Sequence, residues 1–230
     1  MRGLMMDRPL LLTHFLERAR LLYPRQEIVS RLPSGVHRTT YADVFERVRR
    51  LARSLKELGV APGERVGTFA WNHFRHYELY FAVPCSQRVL HTLNIRLFPD
   101  QVAFIANHAE DRVIFVDDVL VPALEKVAPE LRSVKTYVVM GDDVPKTSLR
   151  PLVRYEELVE KPAPDFEFPS FDENEAAAMC YTSGTTGNPK GVLYSHRALF
   201  LQSMSHGMVE TFGLSDHESV LAIVPMFHAN

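Results

Sequence analysis

The sequence predicts an α/β protein with a mostly parallel sheet flanked by helices, and three observations support this. Short apolar runs such as 111–117 are almost continuous, as in strands that are buried on both faces. Segments with apolar residues at helical intervals, such as 41–58, alternate with these runs. Turn-forming residues such as Gly59 and Pro62–Gly63 separate the two kinds of segment. Alternation of this kind is typical of an α/β domain.

Residues 1–143 are predicted to form a first α/β subdomain. Thr40, with Asp43 three residues later, predicts a variant capping box at the start of a helix, and Gly59 predicts its left-handed end. In chain order, we expect a helix within 9–22, a hairpin over 27–40, a helix over 41–58, a strand over 65–70, a helix over 73–83, a strand in 88–94, a helix over 99–109, a strand over 111–118, a helix over 121–129 and a strand over 134–142.

Residues 144–174 contain five prolines and little periodicity, so we expect a connector rather than core, with a short helix near 154–160. Residues 175–230 are predicted to begin a second, incomplete α/β subdomain. Two strands flank a glycine-rich loop there, Ser195 caps a helix that runs towards Phe212, and the apolar run from Ser219 predicts a buried strand.

Composition excludes several classes of function. The 26 basic and 28 acidic residues give a formal net charge of −2, which offers no field to attract nucleic acid. The basic run 47–59 is interpreted as the solvated face of a helix. Cys85 and Cys180 form no CxxC pattern and predict reduced, buried thiols. We see neither a signal peptide nor a membrane span, and we expect a cytoplasmic protein.

The stretch 181–191, "YTSGTTGNPKG", is the most biased in composition. Its glycines free the backbone to approach a ligand closely, so that successive N–H groups can converge on an anion. The hydroxyls of Thr182, Ser183, Thr185 and Thr186 are further donors. Lys190 adds a positive charge on a long stem. These residue types predict a loop that binds polyphosphate.

Known phosphate-binding templates do not fit this loop. A Walker A pattern that begins at Gly184 requires glycine at position 189 and serine or threonine at 191, where the chain has Pro189 and Gly191. A Rossmann GxGxxG motif is absent as well. The loop is predicted to join two strands rather than to open a helix, which argues against a P-loop NTPase.

The stretch 181–192 resembles the phosphate-binding loop of the AMP-forming acyl- and aryl-CoA synthetases. Stretches similar to others of this family occur in the same order, at 39–72, 81–117 and 224–230, so the resemblance covers essentially the whole chain. The stretches "VLHTLNIRL", "SHRALFLQSM" and "VPMFHAN" are most similar to the branch that acts on medium- to long-chain fatty acids.

The resemblance implies a two-step reaction that converts ATP and a carboxylic acid to an acyl-adenylate and then, with coenzyme A, to a thioester. It implies that His228 is a catalytic residue that lines the carboxylate side of the acyl site, and that Thr182 lies close to Mg²⁺. The expected partners are the small-molecule substrates ATP, a carboxylic acid and coenzyme A. A homodimer is one expected assembly. The residues implied to bind ATP are Thr182, Ser183, Gly184, Thr185, Thr186, Gly187, Lys190 and Ala229.

The chain departs from the family pattern in two ways. Ser86, Gln87 and Arg88 stand where relatives usually have small residues. Sequence that the family places later, including adenine and Mg²⁺ contacts, does not follow Asn230, so we expect a fragment or truncated product that is inactive alone. Two alternatives stay open: an adenylation enzyme that loads an amino or aryl acid on a carrier protein, and a non-catalytic phosphate- or nucleotide-binding module.

Overall fold

The computed structural model describes residue 1, residues 3–182 and residues 189–228. Helices and strands alternate through most of the chain, as the sequence predicts. The helices are α1 (Thr13–Leu22), α2 (Tyr41–Glu57), α3 (Phe74–Cys85), α4 (Pro99–Ala109), α5 (Val121–Glu125), α6 (Tyr155–Glu160) and α7 (His196–His206). The strands are β1 (Glu27–Leu32), β2 (Gly35–Thr40), β3 (Arg65–Phe69), β4 (Val89–Thr92), β5 (Asp111–Asp117), β6 (Thr136–Met140), β7 (Leu152–Arg154), β8 (Ala176–Thr182) and β9 (Lys190–Ser195).

Seven strands form one sheet in the order β7-β6-β5-β3-β4-β8-β9. All neighbouring strands are parallel except β8 and β9, which pair antiparallel at one edge. Strands β1 and β2 form a separate antiparallel hairpin. The predicted α/β class with a mostly parallel sheet is therefore confirmed. The proposed boundaries at 143 and 175 stay a prediction, and the sheet runs across them because β8 pairs with β4.

Helices cover both faces of the sheet, as parallel strands require. One apolar cluster, which includes Leu51 and Phe115, joins α2, α3 and α6 to one face. A second cluster joins α4 and α5 to the other face around Ile114. The capping box at Thr40 and Asp43 is present, and Gly59 has φ +76°. None of the helices formed by the described residues has both the length and the apolar character needed to cross a bilayer.

The connector prediction is wrong for part of residues 144–174. Leu152–Arg154 adds a parallel edge strand, and α6 buries Tyr155 and Leu158 against the core. The solvated interpretation of the basic run is wrong for part of α2 for the same reason, although Lys56 is exposed. Arg49 donates to the carbonyls of Ala163 and Phe166, so the connector covers this face of the helix. Sequence periodicity shows where a polar face lies and does not show which backbone carbonyls will meet it.

The predicted strand after Ser219 is also not formed. Residues 219–224 have no regular secondary structure, and Leu221 and Ile223 are 81% and 80% exposed. An apolar run favours a strand only where a neighbouring strand pairs with its backbone, and the described part of the chain offers none here. Helix α7 ends at His206 rather than near Phe212, while Ser195 caps its start as predicted.

Arg88, the departure from the family pattern, is accommodated by two helix ends. Its guanidinium is buried and donates to the carbonyls of Val60 and Ser86, which follow the last turns of α2 and α3. Burial lowers the pKa of Arg88 below its ordinary value. Helix C-termini carry partial negative charge, so the carbonyls at these two ends offset part of the cost of burying the cation.

Candidate functional site

The carboxyl ends of the parallel strands define the edge at which ligands bind in open α/β sheets. Strands β3, β4 and β8 are adjacent and parallel, so the segments that follow them leave from this same edge. Trp71 and Asn72 follow β3, while Thr182 ends β8. With one strand between them, β3 and β8 lie about 10 Å apart. This distance is short enough for one ligand to contact both segments.

The two ends of the glycine-rich loop meet as a β-hairpin stem. Thr182 pairs with Lys190 across the antiparallel ladder, and its Oγ1 lies 3.5 Å from the Lys190 carbonyl oxygen. Both residues are exposed. The hydroxyl and the ammonium group predicted to face phosphate therefore stand at the mouth of the loop. Ser183, Gly184, Thr185, Thr186 and Gly187 lie outside the described residues.

Tyr181 packs against Gly191 on the other strand of this stem and against His108 on α4. Its ring lies so close to Gly191 that an added Cβ would stand 3.1 Å from Tyr181 Cζ, which explains why glycine suits position 191. The phenol forms a 2.6 Å hydrogen bond with Nδ1 of His108 on α4. Burial raises the pKa of Tyr181, so the phenol stays protonated at neutral pH. These contacts of Tyr181 hold the end of β8, from which the loop begins.

A buried His–Asp pair lies beneath Tyr181. His91 Nδ1 is 2.8 Å from Asp111 Oδ1, and the rings of His91 and Tyr181 are 5.2 Å apart. Burial raises the pKa of Asp111, while the neighbouring His91 opposes this shift. Gly67 makes room for the carboxylate, because a Cβ there would lie 3.0 Å from Asp111 Oδ2. The pair is enclosed by the sheet and supports its packing.

Asp117 fixes the turn that follows β3. Its carboxylate accepts from the Trp71 backbone N–H at 2.7 Å and lies 2.7 Å from His73 Nε2. His73 in turn caps α3, because its Nδ1 accepts from the His76 N–H. His76 is buried between Trp71 O and Thr68 Oγ1, and burial lowers its pKa to about 4. His73, His76, His91 and His108 all have hydrogen-bond partners in the fold.

His228, the predicted catalytic residue, is exposed and follows the buried Phe227. Its backbone N–H donates to Pro225 O at 3.0 Å, which closes a turn over 225–228. Asn72 holds the preceding segment, so His228 stands at the same sheet edge as the loop stem. Ala229 lies outside the described residues.

Two polar residues near this edge were not predicted from the sequence. Asn72 contacts the segment before His228, and Asp117 holds the turn that carries Asn72. Both stand at or just after the carboxyl end of an apolar strand, and that position was the signal available in the sequence. In the described part of the chain, no three His, Cys, Asp or Glu side chains are grouped to hold a metal ion.

Comparison with known proteins agrees with this geometry. Residues 16–230 match the model of the AMP-binding enzyme family. The chain belongs to this family. It is 50% identical to a long-chain-fatty-acid–CoA ligase of Thermus thermophilus, over 98% of this chain and 41% of the relative. It is 42% identical to a medium-chain-fatty-acid–CoA ligase of Ectopseudomonas oleovorans, over 100% of this chain and 43% of that relative.

Solved structures of AMP-binding enzymes share the fold as well. A putative long-chain-fatty-acid CoA ligase from Rhodopseudomonas palustris superposes with a TM-score of 0.80 at 25% identity, over 95% of this chain and 52% of that one. The sheet described above therefore corresponds to the N-terminal domain of acyl-CoA ligases. The chain spans about two fifths of the length of the curated relatives it matches.

Proposed function

We propose that this chain is the N-terminal part of an ATP-dependent, AMP-forming ligase that joins medium- to long-chain fatty acids to coenzyme A. The observation that carries the proposal is the loop stem, in which Thr182 and Lys190 pair at the carboxyl edge of the sheet. The similarity to long- and medium-chain ligases supports the choice of acid. A cytoplasmic location and a homodimer are parts of the same proposal.

The first half-reaction transfers the adenylyl group of ATP to the carboxylate. A carboxylate oxygen of the fatty acid attacks the α-phosphorus of ATP, a P–O bond forms, and the bond to pyrophosphate breaks. Lys190 and the backbone N–H groups of the loop would bind the β- and γ-phosphates and stabilise the negative charge that builds up on the leaving group. In the second half-reaction, coenzyme A thiolate attacks the acyl carbon and AMP departs with the bonding electrons.

Thr182 suits a magnesium site shared with substrate. Mg²⁺ takes oxygen ligands and is commonly bound by one or two protein groups together with substrate phosphates. The exposed Thr182 hydroxyl is an oxygen donor at the mouth of the loop. When bound, the ion would be held in part by Thr182 and would offset the negative charge of the phosphates. His228 would border the carboxylate of the acid on the neighbouring segment.

The test is ATP–pyrophosphate exchange by the full-length protein that contains residues 1–230, with fatty acids of increasing chain length. We expect exchange with medium- to long-chain acids, and we expect Lys190→Ala to lower kcat/KM by about 10²-fold or more. Thr185→Ala should also weaken ATP use. Lys56→Ala, an exposed lysine on α2, is the matched control and should match the wild type.

Two results would contradict the proposal. Exchange with amino or aryl acids alone would favour an enzyme that loads a carrier protein, and no exchange with any acid would favour a non-catalytic nucleotide-binding module. The 230-residue chain by itself should release no AMP from ATP, Mg²⁺, coenzyme A and palmitate at a ligase-like rate. Such turnover would show that the chain needs no further sequence.

A further inference from the structure

Asn72 makes three hydrogen bonds to one segment that lies 150 residues later in the chain. Its Nδ2 donates to Ala222 O at 2.9 Å and to Val224 O at 2.8 Å. Its Oδ1 accepts from the Met226 backbone N–H at 2.7 Å. Both N–H donors and the acceptor of the amide are used, and all three partners are backbone groups of residues 222–226.

These bonds matter because the segment has little else to hold it. Residues 221–228 have no helix or strand, and Ile223 and Val224 are 80% and 68% exposed. In the described part of this segment only Phe227 is buried, and it sits against Trp71 with ring centroids 6.1 Å apart. The Tyr80 hydroxyl adds a hydrogen bond to Met226 O. Asn72 supplies most of the segment's polar anchoring.

Asn72 itself is well fixed. It lies in the turn after β3, whose neighbouring residues Trp71 and His73 are both held by Asp117. This turn starts from the interior of the parallel sheet, so it has little freedom to move. A side chain that is fixed at its base can hold the exposed segment that it binds in one position.

We propose that Asn72 is a positioning residue that sets the place of His228, and with it the carboxylate side of the acyl site. Met226, which Asn72 binds, and His228 belong to the same turn, closed by the His228 N–H to Pro225 O hydrogen bond. A displacement of Met226 is therefore transmitted to His228 within two residues. The catalytic consequence rests on the proposed function. The hold of Asn72 on residues 222–226, called the clamp below, rests only on contacts within the chain.

The clamp can be tested without any activity, because Trp71 is the one tryptophan of the 230-residue chain. Trp71 is 43% exposed and contacts Phe227. Release of the segment uncovers the indole ring. We expect Asn72→Ala to shift Trp71 emission to longer wavelength and to increase its quenching by acrylamide. Phe227→Leu, which leaves the turn after β3 intact, should shift the emission in the same direction.

Asn107→Ala is the matched control. The Asn107 amide binds a distant segment in the same way, donating to Glu130 O and accepting from the Arg132 N–H, both at 2.8 Å. Replacing Asn107 by alanine removes hydrogen bonds of the same kind, and none of them involves residues 222–228. Trp71 emission should stay at the wild-type position in this variant. An unshifted spectrum in Asn72→Ala, or an equal shift in Asn107→Ala, would overturn the clamp.

The catalytic consequence is tested by acid-dependent ATP–pyrophosphate exchange in the full-length protein. Asn72→Ala should lower kcat/KM for the fatty acid by about 10²-fold, as misplacement of a site by about 1 Å can do. The KM for ATP should stay near the wild-type value, because the loop stem is anchored elsewhere. Asn72→Asp keeps the acceptor but loses both donors, so it should not restore activity.

The outcomes separate the two proposals. Equal losses for fatty acid and ATP, or full activity in Asn72→Asp, would contradict a positioning role for the Asn72 amide. If the wild-type protein exchanges no pyrophosphate with any acid, the proposed function fails, and with it the catalytic role of Asn72. The emission of Trp71 still decides in that case whether Asn72 holds the segment.

Discussion

Residues 41–160 and residues 190–228 differ sharply in how they are packed. In the first region, apolar side chains such as Leu51 and Leu55 are fully buried between α2 and the sheet. In the second, Val209, Val220 and Leu221 are 71–89% exposed, and of the described residues there only His196 and Phe227 are buried. The first region buries its own apolar surface, while the second is held by a few side-chain anchors.

Polar groups show the same contrast. Glu78 is fully buried in the first region and accepts from Arg47 Nε at 2.7 Å and from the Tyr155 hydroxyl at 2.5 Å. Burial raises the pKa of Glu78, and the Arg47 charge acts against that shift. In the second region the hydrogen bonds of Ser215 and Glu218 are exposed. Segments with few buried contacts open more readily than the rest of a protein, so we expect the two regions to differ in local stability.

The largest predicted effect is a core truncation in the first region. Leu51→Ala should lower the free energy of unfolding by about 4 kcal/mol, because Leu51 is fully buried and leaves a cavity. Leu221→Ala, the matched leucine in the second region, should change it by less than about 0.5 kcal/mol. Chemical denaturation of the 230-residue chain measures both. Equal losses would show that the two regions are packed alike.

The second prediction concerns acid and the buried His76. Burial lowers the pKa of His76 from 6.5 to about 4, so the folded state holds the neutral ring while the unfolded state takes up a proton below pH 6.5. Stability should therefore fall as the pH decreases from 6.5 to 4, by an amount on the order of 3 kcal/mol from this residue. Unfolding measured between pH 7 and pH 4 tests this.

His76→Gln removes the titrating ring and should reduce the slope of stability against pH in this window. His196, at the start of α7, has a pKa lowered to about 4 by burial as well, so part of the slope should remain. His76→Gln is expected to cost stability at pH 7, since the ring binds Trp71 O and Thr68 Oγ1. An unchanged slope in this variant would exclude His76 as a source of the acid sensitivity.

The sequence predicted the first region better than the second, and the reason is physical. Local rules were sufficient for the Thr40 cap, the Gly59 helix end and the alternation of strands with helices, because each depends on nearby residues. The strand expected after Ser219 depends on a partner strand, which no local pattern supplies. For the same reason the sequence did not show that connector carbonyls would cover Arg49.

In the candidate site too, the sequence predicted local features and did not predict contacts between distant segments. The residue order of the loop predicted phosphate binding, and the structure adds the pairing of Thr182 with Lys190 at its mouth. Asn72 was not predicted, because its partners lie 150 residues away and are backbone groups without a sequence signal. Motifs carry information on local chemistry, whereas contacts between distant segments emerge from the fold.

The smallest predicted effect compares two helix caps. Thr40 caps α2 with Asp43 in a capping box, and Ser195 caps α7 by accepting from the Ala198 N–H. Removal of either side chain should cost about 1 kcal/mol of helix stability. Helix α2 packs into the core and should unfold only together with it. Thr40→Ala should therefore lower the global free energy of unfolding by that amount.

Helix α7 has only His196 buried, so it can open while the rest of the chain stays folded. Ser195→Ala should therefore leave the global transition almost unchanged and speed hydrogen exchange of the α7 amides by about fivefold, which corresponds to 1 kcal/mol. Thr40→Ala, by contrast, should speed exchange across α2 and the sheet together. Loss of global stability in Ser195→Ala equal to that in Thr40→Ala would mean that α7 unfolds only with the core, and that the anchors of the second region hold more firmly than its exposure indicates.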